Sequence, residues 1–450
     1  MPGANIAPQN FSFMSATLSL YARFRQAQGL VSTDSRQPQP GTLFFALNGP
    51  SFRGADFAPA ARAKGAAFAV VDDAALAATD PARYIFAPDP IVALQALAAH
   101  HRAQFGGPVL AISGSNGKTT TKELLTAVLA RKFRVLATIG NLNNHIGVPL
   151  TLLRLRLDEH EIAVVEMGAN HQREIAGYCH YARPTHGLLT NIGKAHLEGF
   201  GGVEGVAIGK GELFEFLAAT GGTAFVNTLD LKVVEKAAIV PTRLTYPGLV
   251  DTFPATLLAA SPALVLRFGP HHTEVAAQLT GSYNFANLAA AAAVGQHFGV
   301  KADDVAAALA TYNPSNNRSQ QLRTAAGNAL LLDAYNANPS SMAAALRSFA
   351  APLAEAGPRR CVILGDMFEL GTESPTEHAT LGRLLAELGL EDVLLVGPEM
   401  RVAAGQCPAA RHFATKAEAA EWLAQNPISN HRILLKGSRG MALETLMELL

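Results

Sequence analysis

The chain has 450 residues, 49% of them hydrophobic and 16% charged, with 36 basic and 36 acidic side chains and a formal net charge of zero. That length supports two or three domains, each with its own core, and the composition excludes a disordered chain. With no long basic run, neither a nucleic acid nor an anionic membrane surface is expected as a partner.

The N-terminal run MPGANIAPQNFSF lacks the basic and apolar regions of a signal peptide, which fits a cytoplasmic protein. Strands are expected over 42–47 and 66–71 with a helix over 58–64 between them, followed by a helix over 91–101. Phe105-Gly106-Gly107-Pro108 reads as a linker. The apolar run 109–112 is the next strand, and Leu124, Leu125, Val128 and Leu129 recur at helical spacing after it. Between them lies Gly114-Ser115-Asn116-Gly117-Lys118-Thr119-Thr120. A glycine-rich turn from strand to helix gathers free N–H groups at a positive helix end, which suits phosphate oxygens. The general phosphate-loop pattern asks for glycine where Ile112 stands, but GKTT in this setting argues against an ordinary turn with a solvated lysine.

Further strands are expected over 162–165, 187–190 and 224–226, with helices between most of them, so the central region should be a largely parallel sheet. The alanine-rich run 288–294 is too short to span a bilayer and reads as a tightly packed helix. Asn313-Pro314-Ser315-Asn316-Asn317 is a second breaker cluster. Beyond it, strands over 329–332, 361–364, 393–396 and 433–435 alternate with helices as in a doubly wound unit. Cys179, Cys361 and Cys407 are far apart and form no C-x-x-C pair, against structural zinc or a disulfide framework.

Chemistry should collect at the carboxyl ends of the strands. Glu166 ends an apolar strand, where a buried carboxylate needs a metal ion or a local Lys or Arg as partner. His196, in Asn191-Ile192-Gly193-Lys194-Ala195-His196, is a metal-ligand candidate or a hydrogen-bonded loop histidine. Asp333 sits where a ribose hydroxyl could be held, although asparagines before proline also simply make turns. Lys210, in IGKGELF, reads on its residues alone as a solvated lysine near a helix start.

Taken in order, GSNGKTTTKE, NLNNHIGVP from Asn141, EMGA from Glu166, NIGKAHLE from Asn191, DAYNANP from Asp333 and LGDMFELG from Leu364 resemble the Mur ligases. The likeness runs from TDSR at Thr33 to KGSR ending at Arg439, nearly the whole chain. DAYNANP and LGDMFELG resemble the member that joins D-alanyl-D-alanine to UDP-N-acetylmuramoyl-tripeptide. The resemblance implies an α/β fold in three domains. These are a UDP-substrate domain over 1–106, a central parallel-sheet ATPase domain with the phosphate loop over 107–316, and a Rossmann-like domain over 317–450. It also implies an ATP-dependent amide ligase of peptidoglycan synthesis, working through an acyl phosphate as a cytoplasmic monomer that does not span a membrane.

Carried over by motif, Ser35 and Arg36 would contact the UDP-sugar end of the substrate. Gly114, Ser115, Asn116, Gly117, Lys118, Thr119 and Thr120 would cradle ATP, with Thr119 on the first of two Mg²⁺ ions. Glu166 and His196 would bind the second, Asn284 and Asn287 would lie on the adenine side, and Arg318 and Asp333 would reach the nucleotide. Asn336, Asn338 and Ser340 would line the dipeptide site, and Lys210 would be carried as a carbamate. Three places depart from the family pattern: Tyr283 for a histidine, Leu332 for the first of two aspartates, and SFRGADF at 51–57 for an Asp-Gly-His run. A folate polyglutamate synthase is the nearest alternative, and DAYNANP and TDSR argue against it. From other classes, a phosphate-loop kinase would release no free phosphate, and a nucleotide switch would hydrolyse ATP without responding to the dipeptide.

Overall fold

The computed structural model describes residues 8–450 apart from 38, 262, 315–316 and 352–357, with side chains from residue 14 onward. The first seven residues of the N-terminal run, and Ser315 and Asn316 of the breaker cluster, lie outside the described residues.

Short apolar runs bounded by turn residues become strands. β1 (Val31–Ser32), β2 (Leu43–Phe45), β3 (Phe68–Val71) and β4 (Tyr84–Phe86) form a parallel sheet in chain order. Phe44, Ala46 and Val71 pack with Ala58 and Ala61 of the helix Ala58–Ala63. β5 (Val109–Ser113), β6 (Val135–Ala137), β7 (Ile162–Glu166), β8 (His186–Leu189), β9 (Thr223–Asn227) and β10 (Thr242–Tyr246) form the second sheet, in the order β10-β9-β8-β5-β7-β6. β5 and β7 are buried along their whole length, which is why they read as unbroken apolar runs. The chain leaves β5 for strands on one side and returns for strands on the other. The loop after β5 therefore lies where open parallel sheets bind ligands.

A three-stranded antiparallel meander follows, made of β11 (Ala255–Ala259), β12 (Leu264–Phe268) and β13 (Thr273–Ala277). The expectation of strands and helices alone did not include it. Its signal is alternation: Leu264, Leu266 and Phe268 are buried while Val265 and Arg267 are half-exposed.

The last sheet comprises β14 (Gln320–Arg323), β15 (Ala329–Asp333), β16 (Arg360–Gly365), β17 (Asp392–Val396), β18 (Ala410–Phe413) and β19 (Arg432–Lys436). Its order is β14-β15-β19-β16-β17-β18, parallel except for β14. Leu330, Leu332, Ile363, Val396, Ile433 and Leu435 share its core.

By internal packing the chain falls into two units. The first comprises residues up to Ala111, Phe133–Gly168 and Glu174–His186; the second comprises Ile112–Lys132, Ala169–Arg173 and Gly187–Leu450. Within the first, buried Arg102 donates to the carbonyls of Ala182 (2.9 Å), Phe105 (2.7 Å) and Arg183 (3.1 Å). A cation there complements the carboxyl end of the helix Glu174–Ala182. Within the second, the alanines of the helix Phe285–His297 are buried and the helix packs against Lys118–Leu129. Among the described residues, no helix is long and apolar enough to cross a membrane.

Candidate functional site

β5 ends at Ser113, and the helix Lys118–Leu129 starts five residues later. The turn between them needs glycine twice. Gly114 has φ +134° and Gly117 φ +78°, and a Cβ on Gly114 would collide with Thr190 Oγ1. The loop is held from afar. Ser115 N–H donates to the Asn191 carbonyl and Asn116 N–H to Asn191 Oδ1, both at 3.0 Å. The Asn116 carbonyl accepts from Thr190 Oγ1 at 2.6 Å and Asn191 Nδ2 at 3.0 Å. Lys118 Nζ donates to the carbonyls of Gly114 (2.7 Å) and Ser115 (3.1 Å), so its charge is gathered at the loop. On the far side of the helix, Thr121 Oγ1 donates to Asn287 Oδ1 at 3.1 Å. Asn287 Nδ2 donates to Asn284 Oδ1 at 3.0 Å, and Asn284 Nδ2 to the Thr280 carbonyl at 2.9 Å. Both asparagines are buried and form a chain that anchors the helix.

Glu166, at the end of β7, is buried; its Oε1 accepts from Asn143 Nδ2 at 2.7 Å and its N–H donates to Thr138 Oγ1 at 3.0 Å. In the other unit, His196 Nδ1 lies 2.5 Å from Glu369 Oε2. The close approach of His196 holds the Glu369 carboxyl below its usual range against the opposing effect of burial. Lys194 joins the same region, with its Nζ 2.5 Å from Glu377 Oε1 and its N–H donating to Ser340 Oγ at 3.0 Å.

Lys210 is the position where the residue-level reading fails. It is not solvated but fully buried within the helix Val203–Thr220, its Nζ donating to the Ala169 carbonyl at 3.0 Å and lying 5.0 Å over the Phe200 ring. The cause is the glycine one residue earlier. A Cβ on Gly209 would strike the Phe200 ring, so its absence lets the ring close over this face.

In the last sheet, Asp333 and Lys436 are register partners on adjacent parallel strands. Lys436 Nζ, almost wholly buried, is 2.6 Å from Asp333 Oδ2 and donates to the Asn336 carbonyl at 3.2 Å, while Ser319 N–H donates to Asp333 Oδ1 at 3.1 Å. Arg318 stacks on Tyr335 with its guanidinium carbon 3.6 Å from the ring centroid. Asn338 caps the helix Pro339–Ala350 and donates from Nδ2 to Asn116 Oδ1 at 2.7 Å. Asn336 Oδ1 accepts from the neighbouring Ala337 N–H. The fold thus brings the 114–120 loop, the 191–196 loop and the 336–340 loop into one hydrogen-bonded network.

Three family models match in chain order: "Mur ligase family, catalytic domain" over 29–102, "Mur ligase middle domain" over 112–295 and "Mur ligase, glutamate ligase domain" over 317–439. The UDP-N-acetylmuramoyl-tripeptide--D-alanyl-D-alanine ligase of Escherichia coli K12 is 37% identical, covering 93% of each chain. The chain belongs to the Mur ligase family. The ligase of the same name from Bacillus subtilis is 31% identical over 93% of this chain and 92% of its own. A MurF crystal structure from Acinetobacter baumannii superposes with a TM-score of 0.84 at 32% identity, covering 95% of this chain and 97% of that one. MurF from Thermotoga maritima in complex with ADP gives 0.81 at 25% identity, covering 93% and 96%. The fold is therefore the three-domain α/β fold of the Mur ligases.

The departures from the Mur ligase pattern have local accounts. Leu332 is buried in the core of the last sheet, leaving Asp333 as the polar group at that strand end. Tyr283 places its hydroxyl 3.2 Å from Ser319 Oγ, and burial pushes the phenol up, with the Asp333 charge adding to the effect. Within 51–57, Arg53 pairs with Asp73 at 3.3 Å and Phe52 packs edge-on against Phe57. Ser35 and Arg36 lie in a turn where Asp34 takes Arg36 Nε at 2.8 Å and Nη2 at 3.0 Å, and Lys64 Nζ holds the Ser35 and Arg36 carbonyls. Sequence reasoning gave no role to Asn143, Glu369 or Lys436. Lys436 carried the same signal as Glu166, a charge ending an apolar strand, and could have been found by it.

Proposed function

We propose that the chain joins D-alanyl-D-alanine to UDP-N-acetylmuramoyl-tripeptide with consumption of ATP, giving the UDP-muramyl pentapeptide of peptidoglycan synthesis, ADP and phosphate. The observation that carries this reading is the full-length likeness to ligases of that name, with a glycine loop at the end of β5 bonded into the DAYNANP loop. The residues 1–106, 107–316 and 317–450 then serve as the UDP-substrate, ATP and Rossmann-like domains of a cytoplasmic monomer.

A carboxylate resists attack by an amine, so it must first become an acyl phosphate. Lys118, Thr119 and Thr120 would hold the triphosphate, with Gly114, Ser115, Asn116 and Gly117 shaping the loop. Asn284 and Asn287 would set the adenine side, and Arg318 and Asp333 would reach the nucleotide. Ser35 and Arg36 would take the UDP-sugar, while Asn336, Asn338 and Ser340 would line the dipeptide site. The amine of the dipeptide attacks the acyl phosphate, a tetrahedral intermediate collapses, and phosphate leaves.

Mg²⁺ prefers oxygen donors and rests on one or two protein groups together with phosphates and water. Taken singly, the buried Glu166 carboxylate, the Thr119 hydroxyl and the His196 imidazole, whose Nδ1 lies against Glu369, have donor chemistry of that kind. No group of three or more His, Cys, Asp or Glu among the described residues could hold a metal ion, so the phosphates would supply the remaining ligands. Two such ions would neutralise charge on the transferring phosphoryl group.

The Lys210 Nζ, buried within its helix and donating to the Ala169 carbonyl, is the amine that carbon dioxide would carbamylate. The carbamate N–H could keep the bond to Ala169. With ¹³C-bicarbonate, a carbamate resonance should appear in the wild type and be missing in Lys210→Ala, whose turnover collapses. A fully active wild type without that resonance removes the assignment.

The function itself is tested by phosphate release from ATP with UDP-N-acetylmuramoyl-tripeptide, with and without D-alanyl-D-alanine. Release that needs both substrates is expected; release indifferent to the dipeptide overturns the reading. Oxygen-18 in the tripeptide's terminal carboxylate should appear in the phosphate, and label confined to the peptide product excludes the acyl phosphate.

A further inference from the structure

Two arginines share the ring of Tyr335. The guanidinium carbon of Arg318 is 3.6 Å from the ring centroid and that of Arg439 is 5.1 Å from it, and Arg439 Nη1 donates to the Tyr335 hydroxyl at 3.3 Å. Lys436, three residues before Arg439, adds a third cation, but Asp333 already neutralises it at 2.6 Å. Among the described residues, neither arginine has a carboxylate within ion-pairing distance. Two like charges on one ring repel each other unless an anion joins them. Arg318 has the nucleotide as its anion in the reading above. Arg439 is left with none.

The position of Arg439 suggests the missing partner. It lies three residues after the end of β19, and Tyr335 lies one residue before the Asn336 to Ser340 stretch. A dipeptide that reacts through its amine must leave that amine free, so its remaining ionised group is the terminal carboxylate. A planar guanidinium steadied by a ring face and a hydroxyl presents a rigid fork of donors that matches a carboxylate.

We infer that Arg439 determines acceptor specificity by binding the terminal carboxylate of the incoming dipeptide. The inference rests on D-alanyl-D-alanine being the acceptor. It adds a preference for acceptors that carry a free terminal carboxylate, which disfavours peptides amidated at that end.

The experiment crosses a protein change with a substrate change. Turnover is measured with UDP-N-acetylmuramoyl-tripeptide, ATP and either D-alanyl-D-alanine or its C-terminal amide, on wild type, Arg439→Ala and Arg439→Lys. For the wild type, KM for the amide should exceed KM for the acid by about tenfold or more, the loss of a charge-assisted contact. Arg439→Ala should raise KM for the acid by a similar factor and leave acid and amide equal, with KM for ATP and the tripeptide within about twofold. Arg439→Lys should recover part of the preference, since it keeps the charge without the fork. Three results overturn the inference: an unchanged acid KM in Arg439→Ala, an equal rise for acid and amide, or a rise confined to ATP. A wild type that releases no phosphate with the acid overturns the function reading itself, and the two failures are told apart by the wild type alone.

Discussion

The 114–120 loop and the 33–36 turn are both short polar connections, yet they are held in different ways. In the loop, Asn116 bonds to Thr190 and Asn191, 74 and 75 residues away, and to Asn338, 222 residues away. In the turn, Asp34 bonds to Arg36 two residues on, and Arg36 is exposed. The loop's geometry exists only when several distant segments are assembled, so it cannot relax one residue at a time. Beyond that pair the turn is tied over a longer range by the exposed Lys64, 28 and 29 residues away, and contacts so screened by solvent let it reshape around a ligand at small cost. Preorganised donors are what phosphoryl transfer demands, whereas a sugar nucleotide can be gripped by side chains that move. The difference matches the division of labour proposed above.

The harshest break in that comparison is Lys118→Ala. Turnover should fall by on the order of a hundredfold or more, because a contact made mainly in the transition state is lost. Calorimetric affinity for the UDP-tripeptide should stay within about twofold, and near-normal turnover would remove the loop from the mechanism.

Gly114→Ala asks whether the distant partners shape the loop. The new Cβ meets Thr190 at a φ that suits only glycine, so urea unfolding should show a loss of about 1–3 kcal/mol, with ATP binding impaired. An unchanged unfolding midpoint would mean that the loop is as adaptable as the turn.

Lys436→Met sharpens the contrast within the second unit, since it removes the partner that orients Asp333. A rise of roughly tenfold in KM for ATP is expected, the scale of one charge-assisted hydrogen bond, with KM for the tripeptide unaffected. A lower melting temperature with both KM values unchanged would reduce Lys436 to a structural residue.

The smallest effect belongs to the turn. Arg36 holds Asp34 at about 2, below its ordinary 3.8. A depressed carboxyl contributes stability above its unfolded value and loses it as the pH falls from about 4 towards 2. Carboxyl NMR should give a midpoint of about 2 that moves back up in Arg36→Ala, while the melting temperature at neutral pH stays put. An Asp34 midpoint in the ordinary range would show that the pair does not persist in solution.

What could be seen in the sequence, and what could not, follows from range. Buried parallel strands such as β7 announce themselves as unbroken apolar runs, and the Lys118 turn announces itself by its glycines. The β11–β13 meander did not, because alternation over five residues is weak beside the long helical signal of 285–297 that follows it. Among site residues, types were legible and partners were not. Glu166 and Asp333 stood out as charges ending strands. Their companions Asn143 and Lys436 lie 23 and 103 residues away, and only strand order brings them close. The burial of Lys210 was hidden for another reason: it depends on the hydrogen-sized side chain of Gly209 facing Phe200, a fact about packing with no signature at the lysine.

The bond from Thr121 to Asn287 spans 166 residues, and it has a consequence for how the protein is made. A ribosome adds residues in order, at about 5–20 per second. The loop that would grip ATP therefore emerges roughly ten seconds or more before the helix that anchors it. Until Phe285–His297 has cleared the exit tunnel, the nascent chain carries an exposed, unsupported strand-and-helix pair. In the reading proposed above, nucleotide could stabilise the loop only once that helix has formed, well after the loop itself has been made.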